Sequence, residues 1–205
     1  NHIDLTAMTA EFHMQEFLSA SSIIDFAHPL VAAKAAALAK CCVEEVTLAR
    51  NCYYFVRDEI AHSGDIHSDL VTLKASEVLE AGTVWCFAKS HLLAALLRAN
   101  GIPAALCYQR LQKDGRGAFT LHGLNAVYLP DHGWYRCDAR GNKPGVSADF
   151  APPVEHLAWS AYDTGEFNFS GRYAEPQPAV VSCLRDNNNY QQVFDNLPDL
   201  TALET

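Results

Sequence analysis

The sequence lacks the features that would place the protein on nucleic acid or in a membrane. Its 205 residues carry 15 Lys and Arg against 24 Asp and Glu, a net charge of −9, and no Lys/Arg cluster. Nucleic acids and anionic membrane surfaces bind basic patches, so we set both partner classes aside. The longest apolar run, residues 92–97, stops at Arg98 and is too short to cross a bilayer.

Paired cysteines are also lacking. Seven cysteines are present, an odd number, without a CxxC pair and mostly within apolar stretches such as AALCYQ. This pattern predicts reduced thiols in a cytoplasmic protein, and the N-terminus carries no secretory signal. Three of these cysteines and two histidines are possible metal ligands, but their spacing matches no zinc site, so we expect neither a metal nor a cofactor. These residues are Cys41, Cys42, Cys52, His62 and His67.

Apolar residues make up 49% of the chain, enough to predict one domain over residues 1–205. Residues 29–60 have the composition of one helix or two, and a short helix is expected over 74–81. The clearest helix spans 86–100, ended by Gly101 and Pro103. Strands follow at 104–111, 123–129 and 133–138, with turns at 114–117 and 130–133. Residues 150–205 look irregular, and the order of elements predicts an α+β fold.

Cys86 opens the clearest helix, directly after a loop bounded by Gly82. The free N–H groups and the positive end of the helix dipole stabilise a thiolate at such a position. The same amides can donate to an oxyanion during acyl transfer. The position therefore suits a nucleophile, although a buried structural thiol is the ordinary alternative.

A cysteine nucleophile needs a base and a group that orients the base. His122 begins one predicted strand and Asp138 ends the next, so the turn at 130–133 places the two side by side across a hairpin. Trp134 shares a strand face with Asp138 and is expected to wall the site. The sequence permits a Cys86–His122–Asp138 triad.

Two stretches, TVWCFAKSHLLAALLRANGIPAAL and HGLNAVYLPDHGWYRCDARGN, combine a cysteine helix, a GIPA strand entry, a strand beginning with His and a W-x-x-x-D strand. Over residues 83–141 the sequence resembles the transglutaminase-like superfamily of papain-like cysteine enzymes. The resemblance implies helices and a nucleophile helix packed on an antiparallel sheet. It also implies Cys86 as nucleophile, His122 as base and acid, and Asp138 as the orienting group.

The sequence departs from the family pattern at two places that bear on substrate shape. Trp85 stands where a small residue is common, and His122-Gly123-Leu124 replaces His-Ala-Trp, which removes an aromatic near the histidine. Trp85, Gln109, Asn125 and Trp134 are candidates for substrate or oxyanion contacts. Ordinary buried polar roles are the alternative for Gln109 and Asn125.

The resemblance implies attack of Cys86 on an amide or ester carbonyl of a peptide, protein or small amide, through an acyl-enzyme. The sequence has no D-x-D-x-D-G calcium loop. Water is also the default acceptor unless a site excludes it, so we expect hydrolysis, by a peptidase, amidase or deamidase. The alternatives are a transglutaminase that uses an amine, a binding module that keeps the fold without turnover, and a redox-sensing thiol protein.

Overall fold

A computed structural model describes residues 14–113, 115 and 117–205. Within these ranges the helices are α1 (Pro29–Ala39), α2 (Glu45–Tyr54), α3 (Ser63–Ile66), α4 (Ala75–Ala81), α5 (Cys86–Ala99), α6 (Pro178–Asp186) and α7 (Tyr190–Asp195). The strands are β1 (Ala61–His62), β2 (Thr83–Val84), β3 (Ala104–Lys113), β4 (Ala118–Leu129), β5 (Gly133–Cys137), β6 (Asp149–Ala151), β7 (Val154–His156) and β8 (Phe167–Asn168). Helices therefore precede an antiparallel set of strands, as the α+β prediction requires.

The predicted helical region at 29–60 forms two helices, which was the second of the two alternatives. The break contains Cys41, whose φ of 66° interrupts a helix. A π-helical turn, Phe55–Glu59, then extends α2. The segment 150–205, predicted to be irregular, contains β7, β8, α6 and α7, joined by chain without regular structure. Asp114 and Arg116 of the predicted turn at 114–117 lie outside the described residues.

The main sheet has the antiparallel strand order β5–β4–β3–β8. Strand β3 pairs with β4 along its whole length, from Ala104 opposite Val127 to Lys113 opposite Ala118. A separate pair of short strands, β1 and β2, is parallel and places His62 opposite Val84. Strands β6 and β7 form a third, two-stranded sheet.

Helix α5 lies at the centre of the protein. Every residue from 86 to 98 is buried, although an amphipathic helix would expose one side. The extra faces are covered because α5 contacts β3 and β4 on one side and α1 and α4 on others. Its C-terminus is closed by hydrogen bonds from Gly101 N–H to Arg98 O and from Ile102 N–H to Leu97 O, with Gly101 at φ 74°. Of the described helices, none is long and apolar enough to cross a membrane.

The opposite face of the sheet carries a smaller apolar cluster. Phe17, Ala105, Cys107, Leu124 and Ala126 form it, and Trp134 packs against it at the edge. The sheet is therefore covered on both faces, which explains why most of β3 and β4 is buried.

The side chain of Arg98 connects the end of α5 to three other segments of the chain. Its guanidinium is buried and donates hydrogen bonds to the backbone oxygens of Ser19, Ala104 and Ala174. Burial lowers the pKa of Arg98 to about 10, while the charges of Glu175 and Glu16 raise it. The group thus stays charged at neutral pH and supplies donors to the carbonyl groups of Ser19 and Ala174, in irregular chain, and of Ala104, at the start of β3.

We expect the Arg98→Met variant to be less stable than the wild type by about 2 kcal/mol, because buried carbonyl oxygens lose their donors. Urea unfolding followed by far-UV circular dichroism measures this. The matched control is Arg185→Met, whose side chain is 61% exposed and which should change stability little. Equal unfolding free energies for the two variants would contradict this role of Arg98.

Candidate active site

Cys86 is the first residue of α5 and lies at a cleft of about 460 Å³. Its side chain is largely buried, with 8% of the residue exposed. Trp85 precedes it in extended conformation, and the Trp85 side chain makes no capping hydrogen bond to the helix within the described residues. The amides of the first turn therefore face the thiol without competition from a side chain at the cap.

A glycine lets the start of α5 approach β4 next to His122. A Cβ atom at Gly123 would lie 2.9 Å from Phe87 Cδ1 and 3.2 Å from Phe87 Cα. A contact that short would force the helix away from the strand. The Gly123 that departs from the His-Ala-Trp pattern thus brings the helix start close to the histidine strand.

His122 and Asp138 form a buried hydrogen-bonded pair. His122 Nε2 lies 2.7 Å from Asp138 Oδ2, and both side chains are almost fully buried. Asp138 Oδ2 also accepts from Ala158 N–H, and Asp138 Oδ1 accepts from Arg140 N–H. The Tyr53 hydroxyl donates to the backbone oxygen of Asp138 at 2.9 Å. The carboxylate is therefore held from several segments at once.

The hairpin predicted from sequence forms, with a small difference in register. β4 and β5 pair with Asn125 opposite Cys137. One step further along this register, Asp138 falls opposite Leu124, so His122 is its diagonal neighbour on the same strand face. Diagonal neighbours remain within reach of long side chains, which is why the hydrogen bond forms.

The charges of the site favour a proton on His122. Burial lowers the pKa of His122, but Asp138 and Cys86 raise it more strongly, through charge and side-chain hydrogen bonds, to about 10. Burial raises the pKa of Asp138, yet His122 and the N–H groups of Arg140 and Ala158 bring it below its usual range. An imidazolium between a carboxylate and a cysteine is the arrangement that supports a thiolate nucleophile.

A residue of the C-terminal region makes the aromatic contact to His122 that the residues next to His122 in sequence do not provide. The Trp159 ring meets His122 edge to face, with centroids 4.8 Å apart, and the Arg140 guanidinium lies 5.3 Å from the same ring. Its neighbour Ala158 donates to Asp138. This contribution was not predictable from the spacing around His122, because it comes from a segment without a recognisable pattern.

The cleft combines aromatic walls with charged and polar groups. Cys86 and His122 line it together with residues from α3, β3, β4, α7 and the segment that precedes β8. Its aromatic lining is Trp85, Trp159, Tyr190 and Phe194, and its charged lining is Lys113, Arg140, Lys143, Asp163 and Glu166. Trp85 stacks on Tyr190 at 5.2 Å and meets His62 edge to face at 5.8 Å.

The structure brings Trp85 to this cleft but does not bring Trp134 there. Trp134 lies opposite Tyr128, near the turn of the hairpin, and lines a different cavity with Cys107 and Arg172. It shares the strand face of Asp138, as expected, but four residues of strand separate them by about 13 Å. Trp134 therefore does not line the cleft, although it shares a strand face with Asp138.

Gln109 and Asn125 have their amide nitrogens engaged elsewhere. Gln109 Nε2 donates to Trp159 O and Asn168 Oδ1, and it lines a neighbouring cavity. Asn125 Nδ2 donates to Ser90 O and Ala105 O between α5 and the sheet. Both arrangements match the ordinary buried polar role that was the alternative. In the described ranges, no group of three or more His, Cys, Asp or Glu side chains could hold a metal ion.

The family model of the transglutaminase-like superfamily matches residues 32–139, which is more than half of the chain. The chain therefore belongs to this superfamily, and the resemblance inferred from the sequence is confirmed. The matched region includes Cys86, His122 and Asp138. None of the curated proteins matches the chain.

Two solved structures illustrate the likeness. A candidate cysteine protease from Cytophaga hutchinsonii is 19% identical with a TM-score of 0.52, over 62% of this chain and 42% of that protein. The periplasmic domain of TgpA from Pseudomonas aeruginosa is 17% identical with a TM-score of 0.48, over 63% of this chain and 47% of that one. The chain thus spans less than half the length of each. The first likeness shows the fold, which confirms the α+β transglutaminase-like prediction.

We expect Asp138→Asn to lower the pKa of His122 by more than about one unit, because the carboxylate charge that favours the imidazolium is removed. Imidazole 15N chemical shifts followed through a pH titration measure this, with the His122 signal assigned from its loss in His122→Gln. The control Asp163→Asn removes another carboxylate of the same cleft and should shift the His122 pKa far less. Similar shifts in both variants would contradict the role given to the Asp138 charge.

Proposed function

We propose that this member of the transglutaminase-like superfamily is a cysteine hydrolase that cleaves an amide or ester bond in a peptide, a protein or a small amide. One observation carries the proposal: Cys86, at the start of α5, and His122 line one cleft, and His122 is hydrogen-bonded to the buried carboxylate of Asp138. Nucleophile, base and orienting group are the parts that covalent acyl transfer needs.

The reaction begins with Cys86 as a thiolate and His122 as an imidazolium. Cys86 Sγ attacks the carbonyl carbon and forms a C–S bond, and the carbonyl electron pair moves to oxygen. The oxyanion then reforms the carbonyl, the bond to the leaving nitrogen or oxygen breaks, and His122 donates its proton to the leaving group. Water, deprotonated by His122, attacks the thioester. The C–S bond breaks, the acid is released and the thiolate–imidazolium pair is restored.

Asp138 acts through His122 in this mechanism. Its hydrogen bond to His122 Nε2 leaves Nδ1 for the thiol, and its charge stabilises the imidazolium that each half-reaction passes through. Hydrogen bonds from Arg140 and Ala158 fix the carboxylate, so His122 is oriented by atoms that are themselves restrained.

Transfer to an amine is the second candidate, and the aromatic residues of the cleft favour it. Trp85 directly precedes the nucleophile, and Trp159 covers one edge of His122. Aromatic groups around a thioester hinder the approach of water and so lengthen its life for an amine acceptor. Charged residues such as Asp163 and Glu166 also line the cleft and keep it accessible to water, which supports hydrolysis.

The proposal predicts that iodoacetamide alkylates Cys86 at least about tenfold faster than Cys107 or Cys137 at pH 6 to 7. Burial raises the pKa of Cys107 to about 12, and burial also raises the pKa of Cys137 well above its usual value. Peptide mapping by mass spectrometry gives each rate. His122→Gln should remove most of the advantage of Cys86.

The control for that measurement is His132→Gln, an exposed histidine in the β4–β5 turn, which should leave the Cys86 rate unchanged. If Cys86 reacted no faster than Cys107 in the folded protein, the nucleophile assignment would fail. A binding module without turnover would then explain the fold better.

The choice between water and an amine is tested by the fate of the acyl group. We expect p-nitrophenyl acetate to acetylate Cys86 and the thioester to hydrolyse. With millimolar glycinamide present, less than about a tenth of the acetyl groups should appear as N-acetylglycinamide. Chromatography of the products gives the ratio, and Cys86→Ala supplies the uncatalysed background. A majority of amide product would instead support a transglutaminase-type acyl transfer.

A further inference from the structure

A second imidazole, that of His62, lines the same cleft as Cys86 and His122. His62 ends β1, whose parallel partner β2 leads into the nucleophile. The register places His62 opposite Val84, two residues before Cys86. Neighbouring strands lie about 4.8 Å apart, so this short parallel pair fixes His62 beside the segment that delivers the thiol.

The hydrogen bonds of His62 define which nitrogen carries its proton. Gly64 N–H donates to His62 Nδ1 at 3.0 Å, and this contact caps α3. An accepting Nδ1 cannot hold a proton, so the neutral ring carries it on Nε2, which becomes a donor. Gly64 allows the contact, because a Cβ atom there would lie 3.0 Å from Nδ1.

The surroundings keep His62 neutral and favour a negative charge nearby. Burial lowers its pKa well below the usual value, and the positive charges of Arg140, Lys89 and His122 lower it further, while Asp65 opposes them. A neutral imidazole donates one fixed hydrogen bond and does not itself exchange protons with the substrate. Several enzymes use preorganised donors of this kind to stabilise oxyanions.

Among the other side-chain donors near the site, two are engaged elsewhere and one is not. The amides of Gln109 and Asn125 donate to oxygens within the fold. Trp85 Nε1 is buried and has no hydrogen-bond partner among the described residues. It therefore remains a rival that an experiment has to separate from His62.

We propose that His62 Nε2–H donates a hydrogen bond to the oxyanion formed when Cys86 attacks a carbonyl group, alongside the backbone N–H of Cys86. The inference rests on the proposed function, since it requires a tetrahedral intermediate at Cys86. The negative oxygen receives two hydrogen bonds, and no proton is transferred by His62. His62 is then a catalytic residue distinct from the general base His122.

Two variants separate this role from the capping of α3. In His62→Gln the amide nitrogen takes the place of Nε2, which keeps a donor in the cleft but removes the acceptor of Gly64 N–H. In His62→Asn the amide oxygen takes the place of Nδ1, which keeps the cap but removes the donor. An oxyanion role predicts that Gln preserves function, whereas a capping role predicts that Asn does.

Two reactions of Cys86 provide the readout. Acylation by p-nitrophenyl acetate passes through an oxyanion, whereas alkylation by iodoacetamide does not. We expect His62→Asn to slow acylation about 100-fold, the usual effect of losing one oxyanion donor, and His62→Gln to slow it less than about fivefold. Alkylation rates should stay within about twofold of the wild type in both variants. Thermal unfolding checks that both variants are folded.

Each other outcome identifies what has failed. Acylation that survives in Asn but falls in Gln would overturn the inference in favour of capping alone. A parallel fall of acylation and alkylation would place the effect on the thiol or the fold. A loss of acylation in Trp85→Phe but not in His62→Asn would assign the donor to the indole. A wild-type Cys86 that is alkylated rapidly yet never acylated would overturn the proposed function, and this inference with it.

Discussion

The buried carboxylate of Asp138 is the constraint on which the site depends. A carboxylate removed from water is tolerated only when it is paired and hydrogen-bonded. Asp138 meets this condition with the His122 imidazole and the N–H groups of Arg140 and Ala158. These partners come from β4, from the chain after β5 and from the segment after β7. The requirement to satisfy one charge thus assembles parts of the cleft that are distant in sequence.

Helix α5 provides the scaffold for this assembly, and its buried polar residues explain how. Lys89 donates to the backbone oxygens of Arg57 and Ile60, and His91 Nδ1 contacts Leu73 O at 2.8 Å. Burial and the charge of Arg140 lower the pKa of Lys89 to about 7. A fully buried helix would be expected to carry only apolar side chains.

The buried polar residues of α5 instead supply hydrogen bonds to irregular chain, whose backbone groups would otherwise lack partners. Lys89 holds the chain that enters β1, and so it also positions His62. The helix that begins with the candidate nucleophile therefore fixes several of the segments that surround the cleft.

The sequence was sufficient where the determinants are local. The helix boundary at Cys86, the glycine and proline after it, and the β4–β5 hairpin follow from neighbouring residues, and the His122–Asp138 contact follows from the hairpin. Trp134 shows the limit of this reasoning, since a strand face specifies a direction but not a position along the strand. His62 and Trp159 reach the cleft through contacts between segments far apart in the chain, and no periodicity encodes such contacts. The sequence offered His62 only as a possible metal ligand, without the spacing of a zinc site.

Arg140 lies near both imidazoles of the cleft, which favour opposite protonation states. Its backbone N–H supports Asp138, which favours a proton on His122, while its guanidinium charge disfavours a proton on His62. Asp65 binds that guanidinium through both oxygens at 2.6 and 2.7 Å. Burial raises the pKa of Asp65, but Arg140 and Lys143 lower it to about 2, so the carboxylate stays charged.

The cleft thus contains one histidine that is favoured as a cation and one that is favoured as a neutral donor. Enzymes that use acid–base catalysis repeatedly place two titratable groups in different protonation states in this way. In the proposed mechanism, the charge on His122 serves proton transfer, which requires a group that gains and loses a proton at each turnover. In the same proposal, the neutrality of His62 serves charge stabilisation, which requires a group that keeps its proton throughout. The two contributions of Arg140 come from different groups, since its backbone N–H supports Asp138 and its side-chain charge acts on His62.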